Sequence, residues 1–416
     1  MELRELSSMS DVKLRTAVVG GGAAGCFLAI RLKELMPSMD VEIFERQHRL
    51  LAKVEISGGG RCNCTNSFEG VSDFRQVYPR GGRLLSRLFR RFSHEDAFRW
   101  FEDHGVPLVV QDDNCVFPKA QDSHAIIDCF LSEMRRLGVV VHLGMDGFSC
   151  LFGNGGADSY DFVAVTTGGM HGRALDVFKP EFIEPPLPSL FTFNIDDAEL
   201  KGLMGTVVED VCVSVPGTRM RGEGALLITH WGMSGPAILK LSSHAARVLA
   251  ENNYRMPLAV DWSGGEGAEC VRDCLLSLAA DNAQRLVANT SPTYIPSRLW
   301  LYLTGKVGID ASVRRWKEVG SRQMNRLVEV ITNDRYDIAG RCHHKEEFVT
   351  CGGISLKAVD SNTLEGRPDI LVSPVSSRLF FAGEVLDIDG VTGGFNLQAA
   401  WTTAFVAAEE IGNAAR

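Results

Sequence analysis

The stretch of sequence that decides the fold is RTAVVGGGAAG, residues 15–25. Its apolar residues predict a short buried strand, and the apolar residues that follow recur at helical spacing. Between strand and helix, Gly20 permits a tight turn, Gly22 lets a pyrophosphate approach the backbone, and Gly25 lets helix and strand pack closely. The helix would direct its free N–H groups at those phosphates. We therefore predict a dinucleotide-binding β-α-β unit.

The strand after this helix ends in an acidic residue, Glu45, 20 residues past Gly25. A carboxylate at this position accepts hydrogen bonds from ribose hydroxyls. Because it would repel a 2′-phosphate, we expect this site to exclude NADP. A glycine-rich turn that binds no ligand is the alternative interpretation of the same pattern.

A second glycine-rich region near the other end of the chain reads FFAGEVLDIDGVTGGFN, residues 380–396. FAD enzymes use such an apolar strand, ending in Gly383 and Glu384 and followed by a helix from Gly394, at the ribityl and isoalloxazine end. The acid would accept a ribityl hydroxyl, and the helix N-terminus would stabilise negative charge at the flavin C2 carbonyl. A ligand that touches both chain ends must have the length of FAD, so NAD as the sole tight ligand is the weaker alternative.

A third glycine-rich segment, SGGGRCNCTN at residues 57–66, follows the second strand. Successive glycines and amide side chains suit a loop that lies flat against a ring or a phosphate. Cys62 and Cys64 raise the hypothesis of a redox-active dithiol, with Cys62 as a candidate catalytic residue. Cys-x-Cys closes a strained ring, however, so a packing or positioning role is the alternative that we favour.

The rest of the sequence indicates one α/β domain split by an insertion. From about residue 190 apolar residues alternate as in antiparallel strands, and residues 266–335 have a mostly helical pattern. The strand and helix pattern of a doubly wound domain then returns. We predict an FAD-binding domain in two parts, 14–189 and 346–416, around an inserted domain at 190–345.

Length and charge restrict the class of protein. The chain has 416 residues and a net charge of −9, which argue for more than one core and against a broad basic surface. No apolar stretch approaches the ~18 residues of a membrane span. Residues 1–14 lack the apolar core of a signal peptide, so we interpret them as a frayed leader. The 11 cysteines, irregularly spaced, indicate a reducing compartment and hence the cytoplasm.

An Arg-rich segment is the candidate site for an anionic partner. Arg83, Arg87 and Arg90 fall on one helical face, with aromatic residues interleaved. They would suit an anionic substrate, the phosphates of a nicotinamide cofactor or RNA. A solvated helix face is the simpler alternative.

Two histidine-containing motifs are weaker candidates. His230 in THWGMSGP would serve as an acid near a flavin, although a satisfied buried histidine is the simpler interpretation. Cys342, His343 and His344 suggest a metal site, but no other ligands lie at a suitable spacing, so we predict no metal.

Taken in order, these segments resemble the BaiN-type flavoproteins, also described as NAD(P)/FAD-dependent oxidoreductases or as the aminoacetone oxidase family of FAD-binding enzymes. The resemblance runs from about residue 14 to 411. Its marks are SGGGRCNCTN, VFP at 116–118, THWGMSGP at 229–236, VTCGGI at 349–354 and GEVLDIDGVTGGFNLQAAW from Gly383.

The resemblance implies an α/β fold, a glutathione-reductase-type FAD-binding Rossmann domain of three layers with an inserted β-barrel and helical domain. Some members resemble reductases of conjugated steroid enones such as dehydro-bile acids. This chain departs from the family pattern after Gly169, where residues 170–190 are shorter and lack a Gly-His segment. The motifs and the resemblance together assign FAD to Gly20, Gly21, Gly22, Ala23, Ala24, Gly25, Glu45, Arg46, Lys53, Gly58, Gly59, Gly60, Arg61, Cys62, Asn63, Thr167, Gly168, Gly169, Gly383, Glu384, Asp387, Gly394, Phe395, Asn396 and Leu397.

The predicted function is that of an FAD-dependent oxidoreductase, which transfers hydride through flavin N5 and reduces an activated C=C bond of a small organic substrate. No second G-x-G-x-x-G motif follows in the sequence, so NAD(P)H would act as a transient reductant on the substrate side of the flavin. Two alternatives stay open. One is a flavin-dependent tRNA- or RNA-modifying enzyme, and the other is a non-catalytic flavin-bound sensor.

Overall fold

A computed structural model describes residues 13–170, 172, 174–342 and 349–416 of the chain. The first twelve residues of the leader, and His343 and His344 of the suggested metal motif, lie outside the described residues. The chain divides into two compact units. Unit 1 comprises Met1–Pro186 and Val349–Arg416, and unit 2 comprises Leu187–Phe348.

The strands and helices follow each other along the described residues in chain order. The strands are β1 (Arg15–Val19), β2 (Asp40–Glu45), β3 (Thr65–Asn66), β4 (Leu108–Val110), β5 (Cys115–Pro118), β6 (Val140–Leu143), β7 (Phe162–Val165), β8 (Ile183–Ser189), β9 (Phe193–Ile195), β10 (Val207–Ser214), β11 (Arg221–Ile228), β12 (Gly232–Ser234), β13 (Met256–Asp261), β14 (Asp334–Arg341), β15 (Val349–Ile354) and β16 (Arg378–Phe381). The helices are α1 (Ala23–Leu35), α2 (Ala52–Ile56), α3 (Phe74–Val77), α4 (Gly82–Leu88), α5 (His94–Asp103), α6 (His124–Leu137), α7 (Ala174–Val177), α8 (Ala198–Lys201), α9 (Pro236–Glu251), α10 (Ala268–Asp281), α11 (Ser297–Lys306), α12 (Ser321–Asn333) and α13 (Phe395–Ala414).

Unit 1 is built on a parallel sheet of five strands in the order β16-β7-β1-β2-β6. The carboxyl ends of parallel strands meet at one edge of a sheet, where ligands of open α/β folds bind. The glycine loop follows β1, Glu45 ends β2, Thr166 follows β7 and Ala382 follows β16. The topology therefore brings four segments far apart in sequence to the same edge.

Apolar side chains cover both faces of this sheet. Val18 of β1 belongs to the core cluster that contains Phe27 of α1 and Trp401 of α13, whose ring centroids are 5.7 Å apart. Its neighbours Ala17 and Val19 belong to a second cluster on the opposite face. The alternation expected of a strand buried on both sides thus gives unit 1 its layers.

Unit 2 combines a closed barrel with helices. The barrel has the strand order β10-β11-β12-β9-β14-β13, and its core is continuous with that of α9 to α12, including the buried Trp262, Trp300 and Trp316. A Rossmann-type parallel sheet accompanied by a barrel and helices confirms the predicted fold class. Among the described residues, no helix is both long enough and apolar enough to span a bilayer.

His104 links three helices of unit 1. His104 is the first residue after α5, and its Nδ1 lies 2.7 Å from the carbonyl oxygen of Trp100. Nε2 lies 3.3 Å from Glu34 Oε1 of α1 and 3.9 Å from Glu133 Oε2 of α6. The hydrogen bond with Glu34 raises the pKa of His104 above its usual value. The protonated ring can donate from both nitrogens, so its contribution belongs to the charged form.

This arrangement predicts that His104→Gln lowers the free energy of unfolding by an amount that depends on pH. A raised pKa in the folded state stabilises the fold fully below the unfolded pKa of about 6.5, and the contribution is lost as pH rises through the folded pKa. Urea midpoints of wild type and variant, measured near pH 5.5 and near pH 8.5, should show a larger loss at the lower pH, by less than about 1 kcal/mol because the pair is partly exposed. An equal loss at both pH values would contradict the assignment.

Candidate functional site

The glycine loop after β1 is shaped by close backbone approach. Gly20 has a φ of +104°, and a Cβ there would lie 2.7 Å from the carbonyl oxygen of Thr166. A Cβ on Gly25 would overlap the carbonyl oxygen of Gly20 and lie 2.6 Å from Thr166 Oγ1. A Cβ on Gly22, in contrast, would meet no atom within 4 Å. Gly20 and Gly25 are therefore required by the fold, whereas Gly22 borders open space.

Open space at Gly22 coincides with the N-terminus of α1. This helix has no side-chain cap and no acidic residue in its first turn. Its first N–H groups and the positive end of its dipole are thus available to an anion. The loop has the geometry in which dinucleotide-binding folds hold a pyrophosphate.

Glu45 lies against the same loop. Its Oε2 accepts a hydrogen bond from the N–H of Gly21 at 2.7 Å, and its Oε1 accepts one from the N–H of Gln47 at 2.8 Å. The carboxylate is therefore fixed beside the phosphate-binding turn, where a ribose would lie. The neighbouring Arg46 is exposed and makes no hydrogen bond to the described residues.

The C-terminal glycine segment packs directly on this N-terminal loop. A Cβ on Gly383, whose φ is +79°, would lie 2.9 Å from Cβ of Ala24. Glu384 accepts hydrogen bonds from Lys53 Nζ at 2.8 and 3.0 Å and from the N–H of Thr350 at 2.8 Å. The two ends of the chain thus meet at the carboxyl edge of the sheet.

The segment after β7 completes this edge. A Cβ on Gly168 or Gly169 would lie 3.5 or 3.4 Å from the carboxylate of Glu384. Thr167 Oγ1 is buried and has no hydrogen-bond partner among the described residues. A buried hydroxyl of this kind costs free energy unless a ligand or water satisfies it.

The start of α13 is held by the loop that carries Cys62 and Cys64. In the amide orientation that satisfies its neighbours, Asn63 Oδ1 accepts from the N–H of Gly394 at 3.2 Å and Nδ2 donates to Thr65 at 3.0 Å. Asn396 closes the preceding turn, accepting from the N–H of Gly390 at 2.8 Å and donating to its carbonyl at 2.9 Å. These bonds fix where the uncapped helix N-terminus lies.

Not every predicted residue offers its side chain to a ligand. The amide of Asn396 is used by its own turn, and Asp387 Oδ1 accepts from the N–H of Gly352 at 3.0 Å. Phe395 is buried, and Leu397 is half-buried against the core. For Phe395, Asn396 and Leu397, the backbone of α13 is the part that can contact a cofactor.

The loop Ser57–Gly60 contains three successive glycines with positive φ, from +56° to +86°. Gly59 and Gly60 border open space. The guanidinium of Arg61 stacks 4.2 Å from the centroid of the Phe117 ring and donates to the carbonyl of Gly58 at 3.2 Å. The loop can therefore present bare backbone to a ligand, with one cation beside it.

Cys62 and Cys64 are both fully buried. Burial raises the pKa of Cys62 to about 12 and that of Cys64 well above its usual value. A thiol reacts as its thiolate, so neither group is poised for redox chemistry at neutral pH. The geometry favours the packing role.

The residues at this edge fit a dinucleotide. An uncapped helix N-terminus, open space at Gly22, the carboxylate of Glu45 and the unsatisfied hydroxyl of Thr167 together supply phosphate, ribose and polar contacts. The uncapped N-terminus of α13 supplies a second partial positive charge from a helix dipole. This donor set suits the two halves of FAD.

Sequence reasoning missed the buried polar contacts that hold the site. Arg80 forms a buried ion pair with Asp389, which lies between the two C-terminal glycine motifs. Thr65 Oγ1 donates to Gln398 Oε1 at 2.6 Å, and Trp401 Nε1 donates to the carbonyl of Cys64 at 2.8 Å. The only signal for Arg80 was an acidic residue inside a glycine-rich turn more than 300 positions away.

Neighbouring side chains engage part of the Arg-rich segment. Arg87 donates to Ser361 Oγ at 2.5 Å, and Arg91 pairs with Glu410 at 2.7 Å. Arg83 and Arg90 are exposed and make no ion pair with the described residues. Of the three arginines of the predicted patch, Arg83 and Arg90 therefore remain without an ion-pair partner among the described residues.

His230 lies in unit 2, at the turn between β11 and β12. The expectation of a buried histidine is wrong, because the side chain is exposed, with its ring centroid 4.3 Å from that of Trp231. Trp231 Nε1 is buried and has no partner among the described residues. The turn Thr229–Gly232 is closed by backbone bonds, and the imidazole makes no hydrogen bond to the described residues.

The fold and the site define an FAD-binding oxidoreductase with a Rossmann-type cofactor domain. Comparison with protein families agrees with this class. The HI0933-like protein Rossmann domain matches residues 14–151, and the HI0933-like protein barrel and H2TH domain matches residues 187–349. The chain belongs to the HI0933-like family, the group of BaiN-type FAD-binding flavoproteins that its sequence resembles.

Three curated relatives match almost the whole chain. A 3-dehydro-bile acid delta(4,6)-reductase of Clostridium scindens is 24% identical over 420 residues, 94% of this chain and 98% of the relative. A ribosomal RNA dihydrouridine synthase of Escherichia coli is 26% identical over 425 residues, 95% and 97% of the two chains. A protein of the same name from Haemophilus influenzae is 26% identical over 428 residues, again 95% and 97%.

The contrast between two glycines predicts separable effects on folding and on cofactor binding. Gly22→Ala adds a Cβ that meets no protein atom at a negative φ of −84°. The apoprotein should therefore unfold at the wild-type temperature, whereas FAD binding, measured by quenching of flavin fluorescence, should weaken at least about tenfold.

Gly25→Ala is the matched comparison. Its Cβ would overlap the carbonyl of Gly20, so the apoprotein itself should lose roughly 1–3 kcal/mol of stability. Wild-type FAD affinity in Gly22→Ala would rule out a phosphate at this turn.

The burial of Cys62 predicts slow alkylation. Iodoacetamide near pH 8 should modify Cys62 at least about a hundredfold more slowly than the exposed Cys270, because the thiolate is scarce and inaccessible. Modified residues are identified by mass spectrometry of the folded protein. Rapid labelling of Cys62 that abolishes flavin turnover would instead support the redox hypothesis.

Proposed function

We propose that this chain is an FAD-dependent reductase of a carbon–carbon double bond conjugated with a carbonyl group. The proposal rests on the chemistry shared by relatives that each match more than 90% of the chain. A delta(4,6)-reductase of a 3-dehydro-bile acid saturates double bonds conjugated with a ring carbonyl. A dihydrouridine synthase saturates the C5=C6 bond of uracil, which is conjugated with the C4 carbonyl. A steroid enone and a uracil base are therefore both candidate acceptors.

The residues of unit 1 support this chemistry by holding the cofactor. When bound, FAD supplies a carrier that exchanges hydride at flavin N5. Glu45 would bind the adenosine ribose, the N-terminus of α1 the pyrophosphate, and Glu384 a ribityl hydroxyl. Lys53, which donates to both oxygens of Glu384, orients that carboxylate as an acceptor.

The start of α13 would stabilise charge on the reduced cofactor. Its N-terminus has no side-chain cap, so its N–H groups and helix dipole favour a neighbouring negative charge. Asn63 and Asn396 hold this helix start in place, and therefore fix the direction of those N–H groups. Preorganised donors of this kind contribute to the reaction because they need no rearrangement when the charge appears.

Reduction of a conjugated bond also requires a proton at the carbon next to the carbonyl. His230, the histidine candidate of the sequence, is the donor we propose; its side chain is exposed and makes no hydrogen bond to the described residues. Cys62 is the less suitable candidate, since its buried thiol has a pKa of about 12. NAD(P)H is the reductant we propose, used transiently and released before the acceptor binds.

Anaerobic stopped-flow spectroscopy tests the proposal. The FAD-loaded protein is reduced by NADPH or NADH and then mixed with a 3-oxo-4,6-diene steroid, a uridine-containing RNA hairpin or a saturated 3-oxo steroid. We expect the flavin absorbance to return with at least one conjugated acceptor, at a rate at least about a hundredfold above that with the saturated ketone. Product analysis should show a saturated C=C bond and an intact carbonyl.

The variant His230→Gln separates proton donation from flavin reduction. Loss of the acid should lower the rate of acceptor reduction while leaving flavin reduction by NAD(P)H unchanged. In the stopped-flow experiment, equal reoxidation by saturated and conjugated ketones, or no reoxidation by any of the three acceptors, would contradict the proposed function.

A further inference from the structure

A basic surface lies on the helical part of unit 2, around the turn before α12. Between residues 282 and 327 the chain has eight basic and two acidic residues, although its net charge is −9. Two of the eight are engaged, since Lys306 pairs with Asp334 and Arg298 donates to the carbonyls of Gly202 and Met204. The other six, which we call the basic surface, are Arg285, Arg314, Arg315, Lys317, Arg322 and Arg326.

The side chains of the basic surface are all exposed and make no ion pair within 4.0 Å with the described residues. Its members come together through backbone bonds. The N–H of Val287 donates to Arg314 at 2.9 Å, and the N–H of Trp316 donates to Arg285 at 3.2 Å. Arg285 therefore lies beside a segment almost thirty residues further along the chain.

Helix α12 continues the same surface. Gln323 Nε2 in its first turn donates to the carbonyl of Gly308 at 3.0 Å, which holds the helix start against the loop that carries Arg314. Arg322 and Arg326 are four residues apart and thus share one face of α12. The start of α12, which carries Arg322, is consequently held beside Gly308.

The acidic residues of this segment are used by its turns. Asp310 accepts from the N–H of Ser312 at 3.1 Å and from its hydroxyl at 2.5 Å. Glu318 accepts from the N–H of Arg315 at 3.1 Å. Both carboxylates are bonded to the backbone and form no ion pair with a guanidinium of the basic surface. With eight basic and two acidic residues, the segment 282–327 carries an excess of six positive charges, and all six members of the basic surface are exposed.

We infer that the basic surface binds RNA through its phosphate backbone. This inference deepens the proposed function and rests on it, since that function admits a uracil base in RNA as acceptor. Five of the six side chains are arginines, whose planar guanidinium donates paired hydrogen bonds to phosphate. Val313, which is 69% exposed next to Arg314, adds an apolar contact for a sugar or a base.

Two pairs of arginines give a matched test. Arg322→Ala/Arg326→Ala removes two charges of the basic surface, and Arg83→Ala/Arg90→Ala removes two exposed, unpaired charges of unit 1. Binding of a fluorescein-labelled RNA hairpin of about 30 nucleotides is followed by anisotropy over a series of KCl concentrations. Each lost phosphate contact lowers the slope of log K against log [KCl] by about 0.7–0.9.

We expect the unit 2 pair to lower the slope by about 1.4–1.8 and to weaken binding about tenfold or more near 100 mM KCl, with no change for the unit 1 pair. Circular dichroism and FAD content verify that both variants are folded. The inference is overturned if the two pairs behave alike, if only the unit 1 pair weakens binding, or if phosphatidylglycerol vesicles bind and the hairpin does not.

The experiments distinguish failure of the RNA-binding inference from failure of the proposed reductase function. Reduction of the steroid dienone by Arg322→Ala/Arg326→Ala at the wild-type rate, together with unchanged RNA binding, removes the inference and keeps the reductase. Salt-dependent RNA binding through unit 2, together with failure of every conjugated acceptor, keeps the surface and removes the reductase.

Discussion

The rest of unit 1 depends on the close backbone approach between β1, α1 and the segment after β7. Gly25 brings α1 against the carbonyl of Gly20, and Thr166 Oγ1 donates to Gly20 at 2.9 Å from the neighbouring strand end. Any side chain at Gly20 or Gly25 would occupy the volume that these backbone atoms fill. Because the approach is so close, the helix N-terminus faces the carboxyl edge of the sheet, and every other part of the site is placed relative to it.

The C-terminal segment reaches this edge because buried polar contacts guide it there. Trp401 on α13 donates to the carbonyl of Cys64, and Gln398 accepts from Thr65, so the last helix is tied to the loop that follows β2. The buried ion pair of Arg80 and Asp389 ties the turn before α13 to the same half of the domain. An ion pair without solvent is costly to break from one side, since the remaining charge would be unpaired. Loss of either partner would therefore destabilise this turn.

The local parts of this architecture can be predicted from the sequence, and the long-range parts cannot. Gly20, Gly22 and Gly25 carry their own physical reason, because spacing and flanking periodicity suffice to indicate a strand, a phosphate turn and a helix. Arg80 has no such signal. Its neighbours in sequence are other arginines, which predict a surface patch, and only the fold reveals that Asp389 neutralises it. Burial has the same effect on Cys62, whose spacing from Cys64 suggests a dithiol while its environment suppresses the thiolate.

The net charge of the whole chain likewise does not predict the charge of a local surface. A chain with charge −9 has no broad basic surface, but the charges felt by a ligand are those within about one Debye length, roughly 8 Å at physiological ionic strength. In the Arg-rich helix of unit 1, acidic and polar neighbours lie inside that distance and engage Arg87 and Arg91. At the turn before α12 the nearby carboxylates are bonded to backbone N–H groups instead. The two segments therefore differ in how their cations are engaged: Arg87 and Arg91 bond to neighbouring side chains, whereas the six members of the basic surface have no ion-pair partner within 4.0 Å among the described residues.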